Sequence, residues 1–278
     1  MADAVRKPVP GDQYVNPLGN RPTHLGPVDL APEHEAPIRE ALGALTAAGA
    51  PFIVAGAFAS HAYTGVWRDT KDLDLFLPPE AVPDALRALS RAGFETEIRY
   101  PWWLAKAWKS DYLIDLVFGI GNRELQVDAG WIERGIPTEI LGMPVRLISI
   151  EDLIASKAFI AFRDRFDGAD VVHLMRCAAG RIDWERVLAV LGERHRVLLL
   201  WHLILFDYVY PGHAGTLPGE LIRRIVDERA AAWAGAAPPE EIFRGSLLDH
   251  RAFAIDVADW GYPDPRKPSE AVPQVTDS

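Results

Sequence analysis

Cysteine is almost missing from this chain. A single residue, Cys177, among 278 leaves no partner for an internal disulfide and excludes a cysteine-built zinc or iron–sulfur site. A reducing compartment, the cytoplasm, is the expected setting. Long apolar runs are missing too. No stretch of about 18 apolar residues occurs, and the most apolar one, Val197 to Phe206, is broken by His202. Met1 to Pro10 carries two basic side chains with no apolar segment behind them, so a secretory leader is not expected. Positive charge is in short supply: 29 Lys and Arg against 39 Asp and Glu give a net charge of −10. That argues against broad nucleic-acid binding, which needs a basic surface to displace counterions, and it suits a carboxylate site that takes a metal. Neither His-Glu-x-x-His nor Gly-x-Ser-x-Gly occurs, which sets aside zinc-peptidase and nucleophile-elbow chemistry. Gly119-Ile120-Gly121 is not followed by Gly-Lys-Ser/Thr and reads as a turn.

What remains is a globular composition, with 49% hydrophobic and 24% charged residues, enough for a sizeable core. Residues 1–32, punctuated by prolines from Pro8 to Pro32, predict an extended arm, and 263–278 a polar, disordered tail. Between them the periodicity switches from 2 to 3.6 near residue 149. Over 33–148 the pattern predicts helices from about Ala36 to Ala48, Ala57 to Tyr63 and Pro79 to Gly93. Strands are predicted at Phe52–Ala55, Lys71–Leu77, Phe94–Arg99, Trp103–Lys109 and Tyr112–Phe118, with a hairpin over Pro137–Ile148. Over 149–262 it predicts only helices: 150–163, 167–178, 183–192, 196–209, 218–234 and 247–259. The class is therefore α+β, a small mixed sheet with flanking helices followed by an all-helical domain.

The sharpest feature is Thr70-Lys71-Asp72-Leu73-Asp74-Leu75-Phe76-Leu77. Alternation along a strand puts Asp72 and Asp74 on one face and the leucines on the other. Two adjacent carboxylates repel unless a cation neutralises them, and oxygen ligands of this kind suit Mg²⁺. Upstream, Gly56 ends a strand and opens a helix, a turn that lets backbone N–H groups approach a phosphate. Asp115 is a lone charge in the apolar run Tyr112–Phe118. Because an unpaired buried carboxylate is costly, it should face solvent, pair with a cation or join a metal site.

These residues resemble the polymerase-beta-like nucleotidyltransferase superfamily, above all its small bacterial members: antibiotic nucleotidyltransferases and nucleotidyltransferase-like toxins of abortive-infection systems. The shared pattern is a glycine-led turn into a helix, then Asp-x-Asp on a strand, then a third carboxylate on a later strand. Arg68-Asp69-Thr70-Lys71 is similar to the lead-in of such proteins. Ile150 to Lys157, with Arg163, Arg165 and Asp170, is similar to the helical segment after their catalytic core. The likeness spans roughly residues 35–178. It implies two Mg²⁺ ions on Asp72, Asp74 and Asp115, with these three also catalytic. It implies a nucleoside triphosphate, ATP on grounds of abundance, held by Gly56, Ala57, Thr70 and Lys157, whose monophosphate passes to a hydroxyl. Many members have Gly-Ser where this chain has Gly56-Ala57; Ser60 and Thr70 are candidate substitutes.

The acceptor is unspecified by these motifs; a small molecule is favoured over nucleic acid on charge, and no membrane partner is implied. Trp102 and Trp103, beside Arg99 and Lys106, are candidates for an acceptor rim. Trp201, Phe206, Tyr208 and Tyr210 read as helix packing, and Cys177 as buried and inert. The competing reading is a lapsed nucleotide-binding or protein-interaction module of the same fold, for example in a toxin–antitoxin pair.

Overall fold

The computed structural model describes residues 16–19, 30–68, 70–163, 165–235 and 242–266. Most of the predicted arm, most of the tail and Asp69 lie outside the described residues. Where the arm is described, Asn16 is buried and its Nδ2 donates to the Tyr63 carbonyl at 2.9 Å.

The first half supplies helices α1 (Pro32–Ala47), α2 (Gly56–Thr64), α3 (Val82–Arg91) and α4 (Ala129–Arg134). Its strands are β1 (Ile53–Val54), β2 (Asp72–Phe76), β3 (Glu95–Tyr100), β4 (Leu104–Lys109), β5 (Tyr112–Val117), β6 (Gly119–Ile120), β7 (Leu125–Gln126), β8 (Ile136–Ile140) and β9 (Met143–Leu147). The second half supplies α5 (Ile150–Lys157), α6 (Gly168–Ala178), α7 (Trp184–Val209), α8 (Gly219–Ala234), α9 (Gly245–Asp249) and α10 (Ala254–Ala258). Seven strands form one mixed sheet in the order β3-β4-β5-β2-β1-β9-β8, and β6 and β7 form a separate ribbon. The fold is the expected α+β arrangement of a mixed sheet flanked by helices. No helix among the described residues is long and apolar enough to cross a membrane.

The sheet is built by alternation. Leu73, Leu75, Ile114 and Leu116 are fully buried on one face, each burial contributing roughly 1.5–3 kcal/mol. Their neighbours Asp72, Asp74 and Asp115 take the opposite face. Helix α1 covers the sheet with Ile38, Leu42 and Leu45, all fully buried. The buried cluster runs without a break from Ile38 through Leu153 to Ile225, so it crosses residue 149.

Several expectations change. The helix predicted over 150–163 ends at Lys157. The chain leaves it to form a loop closed by an Ala161–Phe166 bridge, because Lys157 is tied to Asp167 further along. The helix predicted over 247–259 is two short ones, α9 and α10, with a turn at Asp249, whose carboxylate accepts from the N–H groups of Arg251 and Ala252 at 2.9 and 3.0 Å. The predicted break between 183–192 and 196–209 is real but narrow: Gly192 alone departs from helical geometry inside α7. Phe206 packs as expected, whereas Trp201 is 39% and Tyr208 84% exposed. Cys177 is only partly buried, its Sγ lying 3.9 Å from the Thr64 carbonyl. Helix α4 and the β6–β7 ribbon lack a strong period and escape the pattern; α4 is capped by Asp128, which accepts from the Trp131 N–H.

Asp152 on α5 joins the two halves. It is fully buried and ion-paired to Arg134 of α4 at 3.1 Å and to Arg186 of α7 at 3.0 Å. Removing one member of a buried ion-pair group strands the others. Asp152→Ala is therefore expected to lower stability by about 3–5 kcal/mol, read as a reduced urea midpoint at unchanged slope; a loss within error would show that the pair carries no tertiary load.

Candidate active site

Strands β2 and β5 run parallel with Asp74 directly opposite Asp115 and Asp72 opposite Leu113. Three carboxylates thus share one face at the centre of the sheet. Helix α2 begins at Gly56, whose φ is +56°. A β-carbon built there would overlap the Asp74 carboxyl group. Only glycine meets both demands, a left-handed backbone and close approach of a side chain. Asp74 consequently rests at the N-terminal end of α2, where the helix dipole favours negative charge.

Each carboxylate is answered differently. Asp72 accepts a 2.6 Å hydrogen bond from the Thr70 hydroxyl. Asp115 is paired at 2.7 Å with Lys106, which β4 places opposite it in register. Asp74 has no ion-pair partner among the described residues. Burial, reinforced by the charges of Asp72 and Asp115, pushes its carboxyl up to about 7, against the more distant pull of Lys157 and Arg165. Burial also raises Asp115, with Lys106 opposing.

Lys157, at the end of α5, is buried rather than displayed on a surface. It bridges Asp167 and Asp170, each at 2.8 Å. Arg165 holds Asp167 at 3.1 Å, and Arg68 holds Asp170 at 2.5 Å. The result is a chain of alternating charge facing the carboxylates. Desolvation works against the charged form of Lys157, but its two aspartates outweigh that and raise it.

Two cavities meet at this face. One, of about 440 Å³, is polar and lined by Ala57, Ser60, Arg68, Thr70, Lys71 and Asp72, among others. The other, of about 520 Å³, is walled by Tyr100, Trp102, Trp103, Phe159 and Phe162 and includes Asp115. Asp74, Lys157, Arg165 and Asp167 line both. Asp72 borders only the polar cavity and Asp115 only the aromatic one. The buried Ser60 Oγ has no hydrogen-bond partner among the described residues.

All the residues singled out in the sequence therefore gather around one face: Asp72, Asp74, Asp115, Gly56, Ala57, Thr70 and Lys157, with Trp102 and Trp103 on the aromatic rim. Sequence reasoning missed Lys106 as the partner of Asp115, although it is a lone charge in an apolar strand, the same signal that marked Asp115. It also missed Asp167, and the wall supplied by Ser246, His250 and Arg266, for which no local signal exists. Among the described residues, no three His, Cys, Asp or Glu side chains converge, as they stand, into a metal-holding group. Asp115 is drawn towards Lys106 and Asp72 towards Thr70.

Comparison with known proteins bears on this geometry. Among solved structures, the antibiotic-resistance factor ANT(2'')-Ia is 22% identical, covering 62% of this chain and 97% of its own, with a TM-score of 0.44. A lincosamide antibiotic adenylyltransferase, LnuA, is 15% identical over 50% of this chain and 95% of its own, with a TM-score of 0.38. A nucleotidyltransferase-like protein from Paracoccidioides brasiliensis is 15% identical over 67% of this chain and 94% of its own, with a TM-score of 0.43. Curated proteins give no match. Residues 34–206 match the profile of a family described as "Uncharacterised nucleotidyltransferase", a span that contains every carboxylate of the site. On that match, this chain belongs to the nucleotidyltransferase family.

Proposed function

We propose that the protein transfers a nucleoside monophosphate from a nucleoside triphosphate, ATP on grounds of cellular abundance, to a hydroxyl of a small molecule. The observation that carries this reading is the position of Asp74 on the wall common to both cavities, with Asp72 on the polar side and Asp115 on the aromatic side. A transfer between two bound molecules needs such a meeting point. The triphosphate belongs in the polar cavity, against Ala57 at the start of α2, with Lys71, Arg68 and Arg165 near its charge and Gly56 on the wall of the adjoining aromatic cavity. The orphaned Ser60 hydroxyl is the donor that replaces the serine missing after Gly56.

The acceptor oxygen forms a bond to the α-phosphorus while the bond from that phosphorus to the α–β bridging oxygen breaks. Pyrophosphate leaves with the electron pair. Asp115, beside the acceptor, takes the hydroxyl proton; burial already raises its affinity for one. The donor set fits a divalent ion: Asp74 is a buried carboxylate with two like charges beside it and, among the described residues, no ion-pair partner. Mg²⁺ held by Asp72 and Asp74, with a second ion including Asp115, would supply charge neutralisation at the triphosphate. A cytoplasmic location completes this reading, consistent with a single cysteine, Cys177.

A second reading, a nucleotide-binding or protein-interaction module without turnover, draws on Ala57 and on the engagement of Asp115 by Lys106.

The charge on Asp74 gives a sign that can be tested. Its carboxyl titrates at about 7 in the fold against 3.8 in a free chain. A raised acid contributes stability that is complete below the unfolded value and lost as pH rises through the folded one. Without metal, Asp74→Asn should therefore melt above the wild type at pH 8 and lose that advantage near pH 4, at roughly 2–4 °C per kcal/mol relieved. A wild type as stable as the variant at pH 8 would remove the charge argument. Titration calorimetry with ATP, GTP, CTP and UTP, with and without Mg²⁺, is expected to show Mg²⁺-dependent binding that Asp72→Ala abolishes. Asp115→Asn should keep binding and lose transfer of α-phosphate label to a small-molecule extract. Binding without transfer in the wild type would favour the module; no binding of any triphosphate would remove the donor assignment.

A further inference from the structure

The aromatic cavity narrows the chemistry of the acceptor. We propose that it takes a ring-rich, largely apolar alcohol, uncharged or carrying at most one positive charge, and neither a polycation nor a polynucleotide. The proposal rests on the reading of this cavity as the acceptor chamber.

Size comes first. About 520 Å³ is the scale of pockets that enclose small molecules. The walls come next. Tyr100 and Trp103 stack with ring centroids 5.1 Å apart and planes 8° from parallel. Trp102 is fixed by its indole N–H, which donates to Asn122 Oδ1 at 2.7 Å. Phe159 and Phe162, on the loop that leaves α5, also line the cavity. Gly119 lets this rim form, since a side chain there would collide with the Trp102 carbonyl. Fixed aromatic faces of this kind favour flat or ring-bearing apolar bodies.

Charge excludes the alternatives. A polyamine needs carboxylates open to receive it, yet among the described residues three of the four lining this cavity are already occupied. Asp115 is held by Lys106, Asp167 by Lys157 and Arg165, and Asp264 by Arg266 at 2.9 Å. Only Asp74 is left, and it belongs to the reacting centre. Carboxylates also outnumber the side-chain cations on this wall, Asp74, Asp115, Asp167 and Asp264 against Lys157, Arg165 and Arg266, so a phosphodiester backbone would meet excess negative charge.

A polar anchor completes the pocket. Ser246 is 4% exposed, lines the cavity, and its Oγ has no hydrogen-bond partner among the described residues. A buried hydroxyl left unsatisfied is unfavourable, and a ligand that offers it a polar atom removes that cost. Its helix, α9, is pinned in place by Asp249, which accepts from the Arg163 N–H at 2.6 Å.

The test is calorimetry on the full chain with three probes: 2-naphthyl β-D-glucopyranoside, the dicationic aminocyclitol 2-deoxystreptamine, and hexa-adenylate. Each is run alone and with Mg²⁺ and the ATP analogue that has a methylene between the α and β phosphorus atoms. The naphthyl glycoside is expected to bind best. Trp103→Ala should weaken it about tenfold and Ser246→Ala about three- to tenfold, with circular dichroism confirming that each variant folds. Asp72→Ala should leave this binding intact while losing the nucleotide. Tighter binding of either charged probe, no binding of the naphthyl glycoside in either condition, or indifference to both substitutions in folded protein would overturn the proposal. Glycoside binding with no nucleotide binding would instead overturn the transferase reading and leave the aromatic pocket standing.

Discussion

Three aspartates on two neighbouring strands at the middle of a sheet are a concentration of like charge that a fold must offset. Asp74 sets the terms. It is opposite Asp115 in register and two residues from Asp72, with the start of α2 pressed against its carboxyl group. A one-residue slip of β2 would bury the aspartates and expose Leu73 and Leu75, so the apolar core fixes the register, and the register fixes the charge. Thr70 answers Asp72 and Lys106 answers Asp115. Among the described residues no ion-pair partner answers Asp74, whose carboxyl is left high. Stability is forgone at one residue, a pattern typical of sites that bind cations or do acid–base chemistry.

The second half of the chain is shaped by the same charge. Helix α5 stops at Lys157, and the loop after it returns Arg165 and Asp167 to the carboxylate face. Lys157 cannot reach solvent; it holds Asp167 and Asp170 together, and these in turn orient Arg165 and Arg68. Neutralising Lys157 locally makes it a positioning group for the outer arginines. Asp152, clamped between Arg134 and Arg186, keeps α5 fixed against α4 and α7 while this network forms. The segment after residue 149 therefore adds Lys157 and Arg165 to the positive charge that Arg68, Lys71 and Lys106 already supply at the site.

The sequence made the centre of the site legible because strand alternation is a short-range rule. Asp72, Asp74 and Asp115 could be placed on a face from spacing alone, and the glycine at residue 56 from the change of element around it. Lys106 was legible by the same rule, as a charge inside an apolar strand, but its partner depended on the pairing of β4 with β5, which spacing does not give. Asp167, Ser246 and Arg266 were not legible. They reach the site through tertiary contacts separated by about a hundred residues or more from β2, and nothing in their own neighbourhoods marks them. The helix predicted past Lys157 failed for a related reason: local periodicity continues there, but the buried ion pair with Asp167 requires the chain to turn back, and tertiary structure overrides a weak propensity.

The three carboxylates look equivalent from strand parity, since all share one face. The surrounding elements make them unequal. Ala57 and Ser60 of α2, with Arg68, Thr70 and Lys71, form the polar chamber around Asp72, whereas the end of β3 and the turn into β4 bring Tyr100, Trp102 and Trp103 to the chamber that holds Asp115. An apolar wall beside a carboxylate disfavours its charged form, and a polar wall does the opposite. Burial therefore raises Asp115, as it raises Asp74, and Lys106 opposes that tendency by keeping Asp115 ionised and oriented. A bound apolar alcohol that excludes water from this chamber would strengthen both influences at once, because charges interact more strongly where water is absent. The difference in surroundings among the aspartates is thus set by what stands next to each strand end, with the strands themselves supplying only the common face.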